Sequence, residues 1–570
     1  MSLARLRKKL AKPEPSWQLC LLGIIGALLA SFFIILFRFS FEWLQLLYLD
    51  SVDHYNTLTE IYRFITPLIA VAFIILFSWL TGFKYSRMGI PFVIYRLKSA
   101  YGSIPLRNTL TQFFGGIFAL AGGFSVGREG PAVHIGAASS SLIGSYLSLP
   151  KNAIRTLCAC GIAAGISASF NTPLAAVIFV MEVILREYKL HIFVPVILAS
   201  IIGSMMTHAF FGPFHEFEFF AYIVIDFWHY PLLIVFGICI GFLAKAFNSS
   251  LIGVLKIFHN QHMSKRLVLA ALIMGLVGVL VPQSMGSGLS AISFMLEPDV
   301  GVWIIISVLI AKFVATTAIL GLGVPGGIIG PTLGIGAVAG ASMALFVNYI
   351  YGGGDFSGGT FTGGEFSGDY ALMGMAAMLA ATLNAPLAAL LTIIELSNQL
   401  QLALPAMVVI TSAYLTSSQF LKNRSIFLQQ LEYQQLPYQL SPVEDVLQKH
   451  GVLSLIQENY QLIESDDKNQ LRQQLMSMDS DLFLIAKNPA TQTLHFVERE
   501  INFHPLEDES QAVKISEMPA ISSQATLSEA YFALQEKRDG AVYIFEKTKD
   551  NVVGFLTFEK VRSVLTKGKV

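Results

Sequence analysis

The sequence predicts an all-α polytopic membrane domain built as an inverted internal repeat, followed by a small α/β domain outside the membrane. Three observations predict it. The 570 residues are 54% hydrophobic and only 13% charged, whereas a soluble domain carries about 25% charged residues. Apolar runs recur from Trp17 to Phe420, several of them about 20 residues long, enough to cross a bilayer. Two motifs interrupted by Gly and Pro occur twice in the same order, the pattern of a duplicated unit with broken helices.

The first motif runs Gly122-Gly123-Phe124-Ser125-Val126-Gly127-Arg128-Glu129-Gly130-Pro131-Ala132-Val133-His134-Ile135-Gly136. Its counterpart runs from Gly323 to Ala337. Gly123, Gly127, Gly130, Pro131, Ile135, Gly136 and Ala137 recur at a constant offset of 200 (327 − 127). The second motif, Phe170 to Glu182, recurs as Leu383 to Glu395 at an offset of 213 (395 − 182). The extra 13 residues fit a loop inserted in the second half. Two matches in order argue against chance likeness between Gly-rich helices.

The chemistry of the first motif follows from its residue types. Pro131 suits the first turn of a helix, where its missing N–H costs nothing. Gly127 to Gly130 therefore reads as a loop feeding a helix that starts near Pro131. The free amides of Arg128, Glu129 and Gly130 then lie at a positive helix end, which attracts an anion. Glu129 is an ionisable residue at membrane depth, where such residues are costly and mark function. A buried Glu129 paired with Arg128 is the structural alternative.

Taken in order, residues 1–16 carry Arg5, Arg7, Lys8, Lys9 and Lys12. The positive-inside rule places this end in the cytoplasm. No small-residue cleavage site supports a signal peptide instead. Trp17 to Phe37 is the first span and Phe64 to Leu80 the second. Several later runs, such as 111–122 and 172–185, are too short for a full span and read as tilted or re-entrant. Lys151 and Arg155 read as loop or helix-end charges. The membrane domain covers 17–430, with repeats at about 60–210 and about 265–425. Residues 352–369 form a Gly-rich extramembrane loop, whose Asp355, Glu365 and Asp369 read as solvated. Cys20, Cys158, Cys160 and Cys239 fall in apolar runs without disulfide or metal spacing. The net charge of +0 gives no nucleic-acid signal.

Residues 441–570 return to soluble composition. Thr526 caps an amphipathic helix, and Ala541–Phe545 and Asn551–Thr557 read as strands.

Gly127-Arg128-Glu129-Gly130-Pro131 resembles the Gly-Lys/Arg-Glu-Gly-Pro motif of the CLC chloride channels and proton/chloride antiporters. Gly327-Ile328-Ile329-Gly330-Pro331 is similar to their Gly-x-Phe-x-Pro motif, with Ile329 at the usual Phe. The resemblance spans roughly residues 15–430. It implies transport of chloride or similar small anions, as a channel or a proton-coupled antiporter. It makes Glu129 the gate, which plugs the path as a carboxylate and leaves it when protonated. It places an outer anion site at the amides of Arg128, Glu129 and Gly130, and a central site at those of Ile328 and Ile329. It further implies a homodimer with one pathway per subunit, in a cell (plasma or inner) membrane.

Three positions depart from the family. Met88, in Met88-Gly89-Ile90-Pro91, stands where the family has the Ser of its central site; Gly102-Ser103-Ile104-Pro105 is a rival alignment. Phe427 stands at the central Tyr. Val183, next to Glu182, stands at the inner proton-transfer Glu of the bacterial antiporters. Glu182 and its repeat partner Glu395 read as structural residues near helix ends. Met at the Ser position also resembles a fluoride-selective branch, which is the alternative function. The helix–strand–strand–helix order of the tail resembles a CBS motif, with 441–500 as a degraded partner. CBS pairs often bind adenine nucleotides through a Thr or Ser followed by Asp, but Lys560 stands there after Thr557, so no nucleotide or other cofactor is expected. A membrane-anchored nucleotide sensor is the third reading. Glu129 and His134 could serve as an acid–base pair, but no nucleophile or metal cluster accompanies them, and an enzyme has no use for the repeated helix-end motif.

Overall fold

A computed structural model describes residues 3–82, 88–212, 217, 227–294, 300–351, 360–361, 367–438, 441–479, 481–499 and 513–567. Most of the Gly-rich segment, with Asp355 and Glu365, lies outside the described residues; Asp369, expected to be solvated, is instead fully buried in the first turn of the helix Ser367–Leu383. The chain divides into two compact units. One comprises residues 20–143 and 155–438. The other comprises 1–19, 144–154 and 439–570.

The larger unit is helical. After short α1 (Leu3–Leu10), which belongs to the smaller unit, come the long helices α2 (Trp17–Leu46) and α3 (Glu60–Thr81). Then come α4 (Gly89–Ser99), α5 (Leu106–Ala121), α6 (Glu129–Tyr146) and α7 (Lys151–Phe170). α8 (Pro173–Phe179) runs into a π-helical turn, Val180–Leu185, and is followed by α9 (Leu190–Phe211) and α10 (Tyr230–Ile257). The second half holds α11 (Met263–Leu280), α12 (Leu289–Phe294), α13 (Val302–Leu322), α14 (Ile329–Tyr351), α15 (Ser367–Leu383) and α16 (Pro386–Ser397). α17 (Ala403–Tyr414) and α18 (Ile426–Tyr433) close it. Residues 300–301 (β1) pair antiparallel with 360–361 (β2).

Nine helices among the described residues are long and apolar enough to cross a membrane. α2 runs nine residues past the expected end at Phe37. Arg38 and Glu42, one turn apart, pair at 2.6 Å and carry the helix on. The short segments Pro173–Leu185 and Pro386–Ser397 are the broken helices expected from the second repeated motif. Asn171 and Asn384, its matching asparagines, both sit at φ +56°, a left-handed conformation that Asn tolerates. Each turns the chain immediately before its helix. The repeat also shows in packing: Gly136 lies against the Gly161 carbonyl and Gly336 against the Gly374 carbonyl, so small residues let neighbouring backbones approach.

In the smaller unit the basic N-terminal segment packs with the tail. The Arg7 guanidinium donates to the Leu147 carbonyl at 2.9 Å and pairs with Glu546. Lys151 pairs with Glu529 at 2.6 Å. The tail has two sheets. β3 (Tyr460–Glu464), β4 (Phe483–Lys487), β5 (Leu494–Arg499) and β6 (Val513–Glu517) lie in sequence order, with α19 (Pro442–Leu447) before them and α20 (Lys468–Ser477) between β3 and β4. β7 (Ala520–Ser522), β8 (Ala541–Phe545) and β9 (Val552–Thr557) form the other, with α21 (Leu527–Leu534) between β7 and β8 and α22 (Phe558–Lys567) after β9. Thr526 and Glu529 close a capping box at the start of α21. Each sheet begins with a strand, a helix, a parallel partner and then an antiparallel one.

Candidate functional site

α6 and α14 begin at Glu129 and Ile329, the same offset of 200 as the motif. The loops leading into them pair. Gly127 and Gly327 exchange two backbone hydrogen bonds, of 2.8 and 2.7 Å, in an antiparallel bridge. The starts of the two helices are thereby brought to one place. α6 starts two residues before Pro131, which therefore still sits in the first turn.

The Glu129 side chain is buried between them. Its Oε1 accepts from the Ile329 amide and, at 3.2 Å, from the Gly330 amide. Its Oε2 has no hydrogen-bond partner among the described residues. A carboxylate is thus docked on the amides of the second helix end, where an anion is also favoured. The donors differ by one residue from the expected Ile328 and Ile329. Ile328 is the cap position, whose carbonyl accepts from Thr332 at 3.1 Å, so the amides that lead into the helix from it meet the carboxylate. Gly127 and Gly327 explain themselves here: a Cβ on either would collide with the Glu129 carboxylate. Arg128 places its guanidinium over the Phe170 ring, 4.5 Å from the centroid.

A cavity of about 880 Å³ opens beside these helix ends. Gly130 and Ile328 line it, and so do Met88 at the cap of α4 and Phe427 in the first turn of α18. Met88 and Phe427, far apart in sequence, therefore share one chamber. Residues 102–105 are not among its lining. The cavity also reaches Gln430, Tyr433 and Gln434 of α18 and its end.

Glu182 and Glu395 sit elsewhere. Glu182 accepts from the Leu387 and Ala388 amides, at 3.3 and 2.7 Å, and Glu395 accepts from the Leu174 and Ala175 amides, at 2.9 and 2.7 Å. Val183 is buried in the apolar core. His134 is buried, its ring stacked on Phe92 with centroids 5.7 Å apart.

Two features escaped the sequence reading. Gln112, fully buried in α5, lines the cavity. Lys312, in the middle of α13, donates to the Ser284, Met285 and Gly286 carbonyls, at 3.0, 3.3 and 2.9 Å. Asp53 holds the same loop from the other side, accepting from the Ser287 amide and, at 2.9 Å, from its hydroxyl. Ser287 in turn lies against Gly330 at the start of α14. A lone charge inside an apolar run was the available signal for Lys312; Gln112 follows Asn108, Thr109 and Thr111 and carries no such mark.

Duplicated broken helices, with a carboxylate held between their paired ends, define a membrane transport protein of the two-repeat class. The chain belongs to the CLC family: the family model described as voltage gated chloride channel matches residues 68–418. The chain is 29% identical, over 323 residues, to a putative chloride channel protein, ClcB-like, of Ralstonia nicotianae, covering 55% of this chain and 73% of that one. Its fold is similar to that of a slow cyanobacterial Cl−/H+ antiporter, with TM-score 0.62 and 22% identity over 73% of this chain and 96% of the other. A CLC-type fluoride/proton antiporter gives TM-score 0.60 and 22% identity, over 72% and 97%. A eukaryotic CLC transporter gives 0.58 and 19%, over 95% and 98%.

Proposed function

We propose that this protein moves chloride or a similar small anion across a membrane, through a pathway gated by Glu129. One observation carries the reading: the Glu129 carboxylate occupies the helix-end amides, Ile329 and Gly330, that an anion would use. Carboxylate and anion compete for the same donors, and protonation removes the competitor. Family membership supports the same reading. The path runs through the cavity lined by Gly130, Ile328, Met88 and Phe427. Whether the protein works as a channel or an antiporter is decided by recording anion and proton flux together in liposomes; absence of any anion flux would overturn the proposal.

Fluoride is the second reading, favoured by Met88 lining the chamber. Fluoride flux exceeding chloride flux in the same liposomes would establish it. We also propose a homodimer, with both termini in the cytoplasm, as the resemblance and the basic N-terminal segment imply. The tail is proposed to be a CBS-like pair. The shared strand order of its two halves supports this. The Thr557 hydroxyl accepts from the Lys560 amide at 3.4 Å at the start of α22, and Lys560 stands where a nucleotide-binding CBS pair would carry an Asp, so no nucleotide is proposed. A transport role needs no catalytic residue, and none is assigned.

A further inference from the structure

We propose that the side-chain amide of Gln112 is a donor to the transported anion in the cavity below the paired helix ends. The assignment rests on the anion-transport reading above. Gln112 lies midway along α5, fully buried, and lines the cavity together with Met88, Gly130, Ile328 and Phe427.

The two ends of its amide are distinguishable. Oε1 accepts from the Gly89 amide, the first of α4, at 3.0 Å. A backbone N–H only donates, so this contact fixes the oxygen end and leaves the NH2 end for something else. That nitrogen, Nε2, is buried and has no hydrogen-bond partner among the described residues. Buried donors are almost always satisfied, and leaving one empty is unfavourable. The missing partner is therefore an acceptor that the described residues do not supply.

The surroundings say what kind of acceptor. The cavity wall includes the starts of α4, α14 and α18, at Gly89, Ile328 and Phe427. Helix starts present free amides and a positive potential, which favour an anion. Met88 and Phe427 stand where the resemblance places two hydroxyls, and neither side chain can donate. Gln112 restores one donor to this chamber from a different helix. Its tie to Gly89 fixes its direction, so the anion meets an oriented group.

The test uses the full-length protein and chloride. Gln112→Glu keeps an acceptor for Gly89 and, when ionised, replaces the free donor with a second acceptor that carries a negative charge. Chloride affinity by calorimetry should fall about tenfold or more at neutral pH, through the lost hydrogen bond and the added charge together. It should recover in part at acidic pH, where the introduced carboxyl regains a proton to donate. A monodisperse variant with chloride affinity within about twofold of wild type at neutral pH would overturn the assignment. Should the variant not fold, bromide in crystals of the wild type gives the answer by anomalous scattering. A bromide within hydrogen-bonding reach of Nε2 is expected. A bromide elsewhere in the cavity, with a water on Nε2, would overturn the assignment. A wild type that binds no halide by either measure removes the transport reading too, whereas unchanged binding in Gln112→Glu removes only the role given to Gln112.

Discussion

Glu182 and Glu395 cap each other's helices. Glu182, beyond the end of α8, accepts from the first turn of α16, and Glu395, within α16, accepts from the first turn of α8. Each carboxylate thereby meets amides that have no partner within their own helix, at the positive end of the helix dipole.

The exchange predicts symmetry in stability. Glu182→Ala and Glu395→Ala should each cost roughly 0.5–2 kcal/mol, the range for loss of a cap. Thermal denaturation in a single detergent measures both. A loss confined to one of the two would contradict the reciprocal arrangement.

Glu129→Gln should behave as permanently protonated. A carboxylate plugs the path and a neutral amide competes poorly with an anion, so wild-type flux should rise as pH falls and the variant should be flat. Liposome flux across a pH series checks this. Wild-type pH dependence in the reconstituted variant would remove Glu129 from the gate.

Gly127→Ala should evict the gate by steric means alone. The added methyl falls on the Glu129 carboxylate, which must leave the Ile329 and Gly330 amides. Flux at neutral pH should rise severalfold and lose most of its pH dependence while Glu129 stays in the chain. An unchanged flux in a folded variant would show that the carboxylate binds elsewhere when the path conducts.

Proton coupling should be weak. Val183 carries no proton, and Met88 and Phe427 offer the central anion no hydroxyl. Each neutral hydrogen bond is worth about 1 kcal/mol, so losing both loosens the anion by roughly tenfold or more. Gln112 offsets part of that deficit and does nothing for the proton. Val183→Glu alone should therefore not restore coupling. Reversal under opposed chloride and proton gradients decides it, and a tight fixed ratio in the wild type would refute the expectation.

Glu187 should give the membrane unit an acid-sensitive step. Burial raises its carboxyl, but Arg155, Lys189 and Lys98 outweigh burial and hold it at about 2, below the usual 4.5. A depressed carboxyl stabilises fully above the unfolded value and loses that contribution as pH falls from 4.5 towards 2. Melting temperature should drop over that interval in the wild type. Glu187→Gln should lower it at neutral pH and flatten the step.

Glu129 was legible in the sequence because a charged residue stood among glycines and a proline inside an apolar run. Glu182 and Glu395 were legible as a repeated pair. Their exchange of partners was not, because it joins residues about 200 positions apart through backbone amides, which leave no mark on residue choice. Spacing singles out Met88 over residues 102–105, and Met88 lines the cavity beside the helix ends. Gln112, Asp53 and Lys312 were passed over. Each satisfies a backbone group, and that need belongs to the partner loop or helix end, not to the local pattern. The likeness between the two halves of the tail lies in strand order, which survives when side chains have diverged.

The bridge between Gly127 and Gly327 also sets a timetable for biogenesis. At 5–20 residues per second, a ribosome needs roughly 10–40 s to add the second glycine after the first. Throughout that interval the first half sits in the bilayer with Glu129 deprived of the two amides that receive it. Until residue 330 is made, that carboxyl lacks the partners it has in the finished fold. Docking of Glu129 is therefore a late event for the nascent chain.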